Sequence, residues 1–290
     1  MSFARIILLT SLAMAAFAGN SLLCRAALLH TSIDAASFTT IRLISGALML
    51  WLIVRMRQGG TIGSGNWLSA MALFVYAAGF SFAYISLPAA TGALLLFGAV
   101  QTTMIGYGFW SGERLQKGQW IGLLLAFSGL IGLLLPGFSA PPLMGSLLML
   151  SAGVAWGIYS LRGKGVGDPT RVTAGNFLRT VPITMAMSLL MLGDFSIDVP
   201  GVWYAVSSGA LTSGVGYAIW YMAVPALKAT SAASVQLSVP VITALGGIMI
   251  LTFIRGIPLP SGHCAALDVW GWMDSEPSAR TALPDSECTA

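Results

Sequence analysis

The sequence predicts an all-helical integral membrane protein, and three observations carry that prediction. Of 290 residues, 56% are apolar and only 8% are Asp, Glu, Lys or Arg, where a soluble globular chain carries about 25% charged residues. The apolar residues gather in runs long enough to cross a hydrocarbon core ~30 Å thick, which takes roughly 20 helical residues. The basic residues fall in every second connection between those runs, the distribution expected of a multi-pass chain.

Nine runs follow in order: 6–29, 37–54, 67–87, 89–110, 119–135, 143–160, 172–192, 202–224 and 229–251. Backbone amides have no partner in lipid other than their own chain, so runs of this length are helices. A barrel would need short alternating strands, which the sequence lacks. Arg5 precedes the first run, Arg55 and Arg57 close the second, and Arg114 and Lys117 separate the fourth from the fifth. Arg162, Lys164 and Arg171 lie between the sixth and seventh, and Lys228 lies between the eighth and ninth. The alternate connections, 30–36, Pro88, 136–142 and 193–201, hold Asp34, Asp194 and Asp198 and no Lys or Arg. Nine basic residues on one side and none on the other predict a cytoplasmic N-terminus. Ala16-Phe17-Ala18 has the look of a signal-peptidase site, but apolar sequence continues past it, so the first run is expected to stay as a helix.

Composition also excludes chemistry. Cys24, Cys264 and Cys288 with His30 and His263 are too few and too scattered for a disulfide framework or a metal cage. Gly163-Lys164-Gly165 lacks the upstream glycine and the hydroxyl of a phosphate loop. No metal, cofactor or nucleic acid is expected. A membrane enzyme would need clustered His, Asp, Glu, Ser or Cys at membrane depth, which the spans do not show.

Sliding the chain on itself by 137 residues superimposes Arg25 on Arg162, Arg42 on Arg179, Gly79 on Gly216, Tyr84 on Tyr221, and Pro88-Ala89 on Pro225-Ala226 without a gap. That shift moves each span by five, and an odd offset inverts it in the membrane. Two inverted repeats are expected, the first over 1–136 and the second over 137–251, in the manner of secondary transporters whose solute binds between the halves.

Phe17-Ala18-Gly19-Asn20 leading to Arg25, Gly112-Glu113-Arg114-Leu115 after the fourth span, Ala155-Trp156-Gly157 in the sixth, and Pro240 in the ninth resemble the EamA-type drug/metabolite transporter superfamily. The resemblance covers residues 4 to 251. It implies ten helices in two inverted five-helix repeats, of which nine spans are visible. It also implies a secondary carrier of the bacterial inner membrane that exports a small polar or amphipathic metabolite such as an amino acid. Gln101 departs from the pattern by standing where a proline would match Pro240. The competing reading is a scaffold that transports nothing, or an inactive truncated transporter.

Polar and aromatic residues inside spans are the candidate solute ligands: Asn20, Tyr84, Gln101, Trp156, Tyr159, Tyr221 and Gln236, with Tyr76, Thr102, Asn176, Tyr217, Trp220 and Ser234 in a wider set. Helix-to-helix bonding competes with solute binding for each of them. Arg42 and Arg179 read either as gating or carboxylate-binding cations near opposite faces or as arginines snorkelling to headgroups. Glu113 reads as a structural turn residue. With no acidic residue at a span centre, a carboxylate relay through the membrane is not expected. Gly153 and Gly157, and Gly118 and Gly122, have the small-xxx-small spacing of close helix packing, within the chain or in a homodimer.

The balance of Lys and Arg over Asp and Glu is 12 to 5 across residues 1–251 and 2 to 5 across 252–290. Extending the repeat register by two residues after Pro88 puts Thr252 opposite Glu113, and no tenth span follows. The tail 252–290 is therefore expected to be an aberrant, disordered replacement of the tenth helix by a shifted frame or a truncation.

Overall fold

The computed structural model describes residues 2–58, 63, 65–112, 120, 121, 124, 128, 141–163 and 167–255, with side chains to residue 249. Most of the fifth run, Glu113 and most of the tail, 256–290, lie outside them. The described chain is helical: α1 (Phe3–His30), α2 (Ala35–Gln58), α3 (Trp67–Ala83), α4 (Ala89–Trp110), α5 (Leu143–Arg162) and α6 (Pro169–Leu190). The eighth run is one rod of three parts: α7 (Val199–Ser207), a π-helical segment (Ser208–Val215) and α8 (Gly216–Ala223). The ninth is broken at Leu237 into α9 (Ala229–Gln236) and α10 (Ser238–Arg255). Among the described residues five helical stretches are long and apolar enough to cross a membrane, and α3 is a shorter apolar helix.

The helices start where the sequence supplies an acceptor for their free first-turn amides. Asn66 accepts from the amides of Leu68 and Ser69 at the head of α3. Asp168 accepts from Thr170 and Arg171 ahead of Pro169, so α6 begins three residues before the apolar run does. Asp198 accepts from Gly201 at the head of α7, and Asp34 from Ser37 at the head of α2. Pro240 is the third residue of α10, where a missing amide hydrogen breaks no helical bond, so it marks the restart of the ninth span.

The two halves interlock. α3 and α4 both pack on α5, α2 packs on α6 and the π segment, and α1 packs on α8 and α10. At the crossing of α4 and α5 a Cβ on Gly153 would collide with the Leu96 carbonyl oxygen. The Gly153/Gly157 spacing is therefore an intramolecular helix contact. Arg25 donates to the Tyr84 and Ile85 carbonyls at the C-terminal end of α3, while Arg162 donates to Ser69 and Asn66 at its N-terminal end. The two arginines related by the 137-residue shift thus hold opposite ends of one helix. Large apolar side chains on the outer surface, such as Ile7, Leu48, Val154, Leu211 and Met249, are exposed, as a lipid-facing surface requires.

Candidate functional site

The centre of the bundle is an aromatic cluster built around Trp156 of α5. Its ring lies 5.4 Å from Phe17 of α1, 5.0 Å from Tyr76 of α3, 5.8 Å from Tyr159 of α5 and 4.7 Å from Tyr217 of α8. Phe17 also meets Trp220 edge-on at 5.9 Å, and Phe177 of α6 meets Tyr217 at 5.5 Å. Each such ring pair adds about 0.5–1.5 kcal/mol beyond its buried area. Five helices from both halves therefore converge on one set of rings. The indole Nε1 of Trp156 donates to Gln236 Oε1 at 2.8 Å, and Gln236 Nε2 donates to the Ala232 carbonyl at 3.2 Å and to the Met104 sulfur at 3.4 Å. Gln236 is the last residue before the break in the ninth span, so the indole is tied to a discontinuous helix.

Against these rings lies a polar network spread over α1, α2, α3 and the eighth span. Asn20 Oδ1 accepts from Ser208 at 2.7 Å and Thr212 at 3.3 Å, and Asn20 Nδ2 donates to the Tyr76 hydroxyl at 3.3 Å. Arg42 Nη2 donates to the same hydroxyl at 3.1 Å and to the Tyr217 hydroxyl at 3.5 Å, while Nε donates to Ser213 at 3.2 Å. The guanidinium also lies over the Tyr76 and Phe80 rings at 5.3 and 4.9 Å. Arg42 is 1% exposed, and its Nη1 has no hydrogen-bond partner. The described carboxylates, Asp34, Asp168, Asp194 and Asp198, all stand at helix ends. A buried cation without an anion costs several kcal/mol, which about 2 kcal/mol from a desolvated cation–π contact offsets only in part.

The π segment is the reason the eighth span can serve this network. Its wider turn brings Ser208, Thr212 and Ser213 to the buried side together, and π turns of this kind recur at functional positions. Here α2 and the π segment approach closely: a Cβ on Gly209 would collide with the Arg42 carbonyl.

A cavity of about 280 Å³ opens on the basic face of the bundle, walled by Asn66, Ser69, Tyr159, Arg162, Asn176 and Tyr221 among others. Asn176 Nδ2 donates to the Tyr159 hydroxyl at 3.5 Å, and the Tyr221 hydroxyl donates to the Tyr159 carbonyl at 3.3 Å. Because Tyr159 also touches Trp156, the cavity ends against the aromatic cluster. The opposite face is tied across the halves. Thr40 Oγ1 lies 2.8 Å from Thr184 Oγ1 and 2.6 Å from Ser188 Oγ. The Asp34 amide donates to the Ser196 carbonyl at 3.0 Å, and the Ser196 amide returns a bond to the Asp34 carboxylate at 3.1 Å. Burial pushes the Asp34 carboxyl up, but bonds from the Ser37 side chain and the amides of Ser37, Ser196 and Ala36 outweigh it and hold the pKa below its ordinary 3.8.

Of the residues singled out from sequence, Asn20, Arg42, Trp156, Tyr159 and Gln236 fall in the cluster and network, and Tyr159 and Tyr221 wall the cavity. Tyr84 lies apart, at the end of α3, where its hydroxyl donates to the Ala89 carbonyl at 3.2 Å. Gln101 is 2% exposed with both amide atoms unpaired, one turn along α4 from Met104. Arg179 stays near the basic face, donating to the Gly175 carbonyl at 3.2 Å and lying over Trp67, the first residue of α3. Glu113 lies outside the described residues. Ser208, Thr212 and Ser213 were not legible as site residues. Their only signal is a density of small hydroxyl residues and glycines over 207–214.

Comparison with known proteins agrees with this architecture. Residues 143–253 match the model of the EamA-like transporter family. An uncharacterized protein of Pseudomonas aeruginosa is 58% identical over 264 residues, covering 91% of this chain and 92% of that protein. A protein of Archaeoglobus fulgidus described as an uncharacterized transporter is 26% identical over 255 residues, 82% of this chain and 86% of its own. A crystal structure 20% identical in sequence superimposes with a TM-score of 0.70 over 94% of this chain and 95% of its own, which shows the shared fold. The chain is a multi-pass membrane protein that carries an EamA-like transporter domain over residues 143–253.

Proposed function

We propose that this protein is a secondary transporter of the bacterial inner membrane, N-terminus cytoplasmic, that exports a small polar or amphipathic metabolite such as an amino acid. The observation that carries the reading is the meeting of five helices from both halves at one aromatic and polar layer. A cavity on the basic face reaches that layer, and the opposite face is tied shut. On the cytoplasmic assignment of the basic face, this is an inward-open arrangement. Alternating access then requires the Thr40, Asp34 and Ser196 contacts to part while the walls around Tyr159 and Arg162 close. Trp156, Tyr217 and Phe17 offer faces for an apolar body, and Asn20, Gln101 and the tyrosine hydroxyls offer polar partners, the mixture that small-molecule sites use. We infer no catalytic role for these residues, because the described layer joins no nucleophile to a base.

The test is efflux from proteoliposomes that hold the full-length protein and are preloaded with a labelled amino-acid mixture. Efflux above that of protein-free liposomes is the expected result. A protein that folds and inserts yet moves nothing favours the scaffold reading. Translating the underlying gene in its other two frames beyond codon 251 tests the origin of the tail. A Gly-Glu followed by about 20 apolar residues is expected if a frameshift replaced the tenth helix.

A further inference from the structure

We propose that Arg42 is the docking point for an anionic group on the transported solute, so that the protein carries amphipathic monocarboxylates and rejects organic cations. This rests on the transport reading above and adds the charge class of the cargo. Arg42 is a fully buried cation at the middle of α3's length, where Tyr76 and Phe80 hold it, and its Nη1 has no partner. A guanidinium so placed has two of its three nitrogens fixed by Ser213, Tyr76 and Tyr217. The third is thus left oriented for an incoming acceptor.

The chemistry of that acceptor follows from what surrounds it. No described carboxylate lies in the layer, so an anion arriving there supplies the missing countercharge. An organic cation would face Arg42 with no acidic group to receive it. One free nitrogen and one cation suit a monoanion. A phosphate dianion would call for further donors, which Arg179 cannot give from its place beside Trp67. A second feature points the same way. α10 begins two residues after Gln236, the residue that holds the indole of Trp156, so the positive end of a helix lies close to the same aromatic cluster. The solute's apolar body then lies against Trp156, Phe17 and Tyr217, with its carboxylate toward Arg42. Tyr217 makes the longest of the Arg42 bonds, at 3.5 Å, the one most readily exchanged for a bond to the solute.

The experiment uses three probes with one ring system and different heads: indole-3-acetate (anionic), tryptophol (neutral) and tryptamine (cationic). Binding is read at pH 7 as the rise in melting temperature of the full-length protein in nanodiscs, and flux is read separately from proteoliposomes. Indole-3-acetate is expected to bind at least about 30-fold more tightly than tryptophol, the scale of losing one partner of a buried charge pair, and tryptamine not at all. Arg42→Gln is expected to bring the acid down to the affinity of the alcohol, and Arg42→Lys to keep part of the preference. Equal binding of acid and alcohol, binding of tryptamine, or no binding of the acid overturns the proposal. If Arg42→Gln does not fold, the wild-type affinity ratio decides alone. Equal flux of all three probes leaves the transport reading standing and removes the charge preference. Tight binding of the acid without flux of any probe does the reverse.

Discussion

Trp156 is held by two kinds of force that separate by substitution. Its ring packs against four others, and its Nε1 hydrogen bonds Gln236. Trp156→Phe keeps much of the packing and strands the Gln236 carbonyl oxygen, a loss of about 1–3 kcal/mol. Trp156→Ala removes the ring as well and is expected to cost about 3–5 kcal/mol. Transport by the Phe variant should fall with a small drop in melting temperature, and an unchanged efflux rate would reduce Trp156 to a packing residue. Gln101 gives the opposite pairing. Its amide is buried and unpaired, so Gln101→Leu should raise the melting temperature while lowering efflux; a variant that is more stable and equally active would show that the amide serves no solute. At the opposite face, Asp34 predicts a pH effect. Its folded pKa is depressed, so its contribution is complete at neutral pH and fades as pH falls through its folded value, below 3.8. Asp34→Asn should flatten that acid limb of the melting curve, and an Asn variant with the wild-type limb would assign it to other groups. Trp156, Asn20 and Gln236 were legible in the sequence because a polar atom in mid-membrane needs a partner. Tyr84 was equally conspicuous and turned out to bond locally, since sequence does not say which way a helix face turns. Ser208 and Thr212 stayed hidden because small hydroxyls in helices usually bond their own backbone, as Thr212 also does to Ser208.

At the level of elements, the ends of the spans could be read closely and their interiors could not. The fourth run and α4 have the same limits, Ala89–Trp110, because Pro88 and the polar Ser111-Gly112 pair punctuate them. The π segment and the break at Leu237 leave no trace in apolar periodicity, since the small hydroxyl residues around them are ordinary inside a span and interrupt neither run. Yet both are where the network attaches. Deleting the exposed Leu211 should return the eighth span to α-helical register and remove the wider turn that gathers Ser208, Thr212 and Ser213 on the buried side. The expected product folds, keeps its helical circular dichroism and loses efflux. Retention of full activity would show that the wider turn is incidental. Gly153→Val is a control of the opposite kind. A side chain at that crossing has no room, so a fall in melting temperature should accompany any loss of flux.

For the molecule as a whole, the inverted repeat proposed from sequence rests on a few scarce residues, above all the arginine pairs, because arginine is costly in a membrane and so rarely matches by chance. The central layer was not, because it forms only when the two halves meet. The absence of any described carboxylate from that layer predicts that transport does not require a proton gradient. Efflux should be alike with and without an imposed pH difference, and strict dependence on it would bring a terminal acid such as Glu113 into the cycle. Alternating access itself is tested most directly by locking the face that is tied shut. Thr40 and Ser188 place their hydroxyl oxygens 2.6 Å apart across the two halves, so Thr40→Cys with Ser188→Cys should oxidise to a cross-link, while the native Cys24 stays buried. Efflux from proteoliposomes should stop when the pair is oxidised and return when it is reduced, with each single variant unaffected. Full efflux through quantitatively cross-linked protein would contradict the account, because the solute would then cross without that face ever opening.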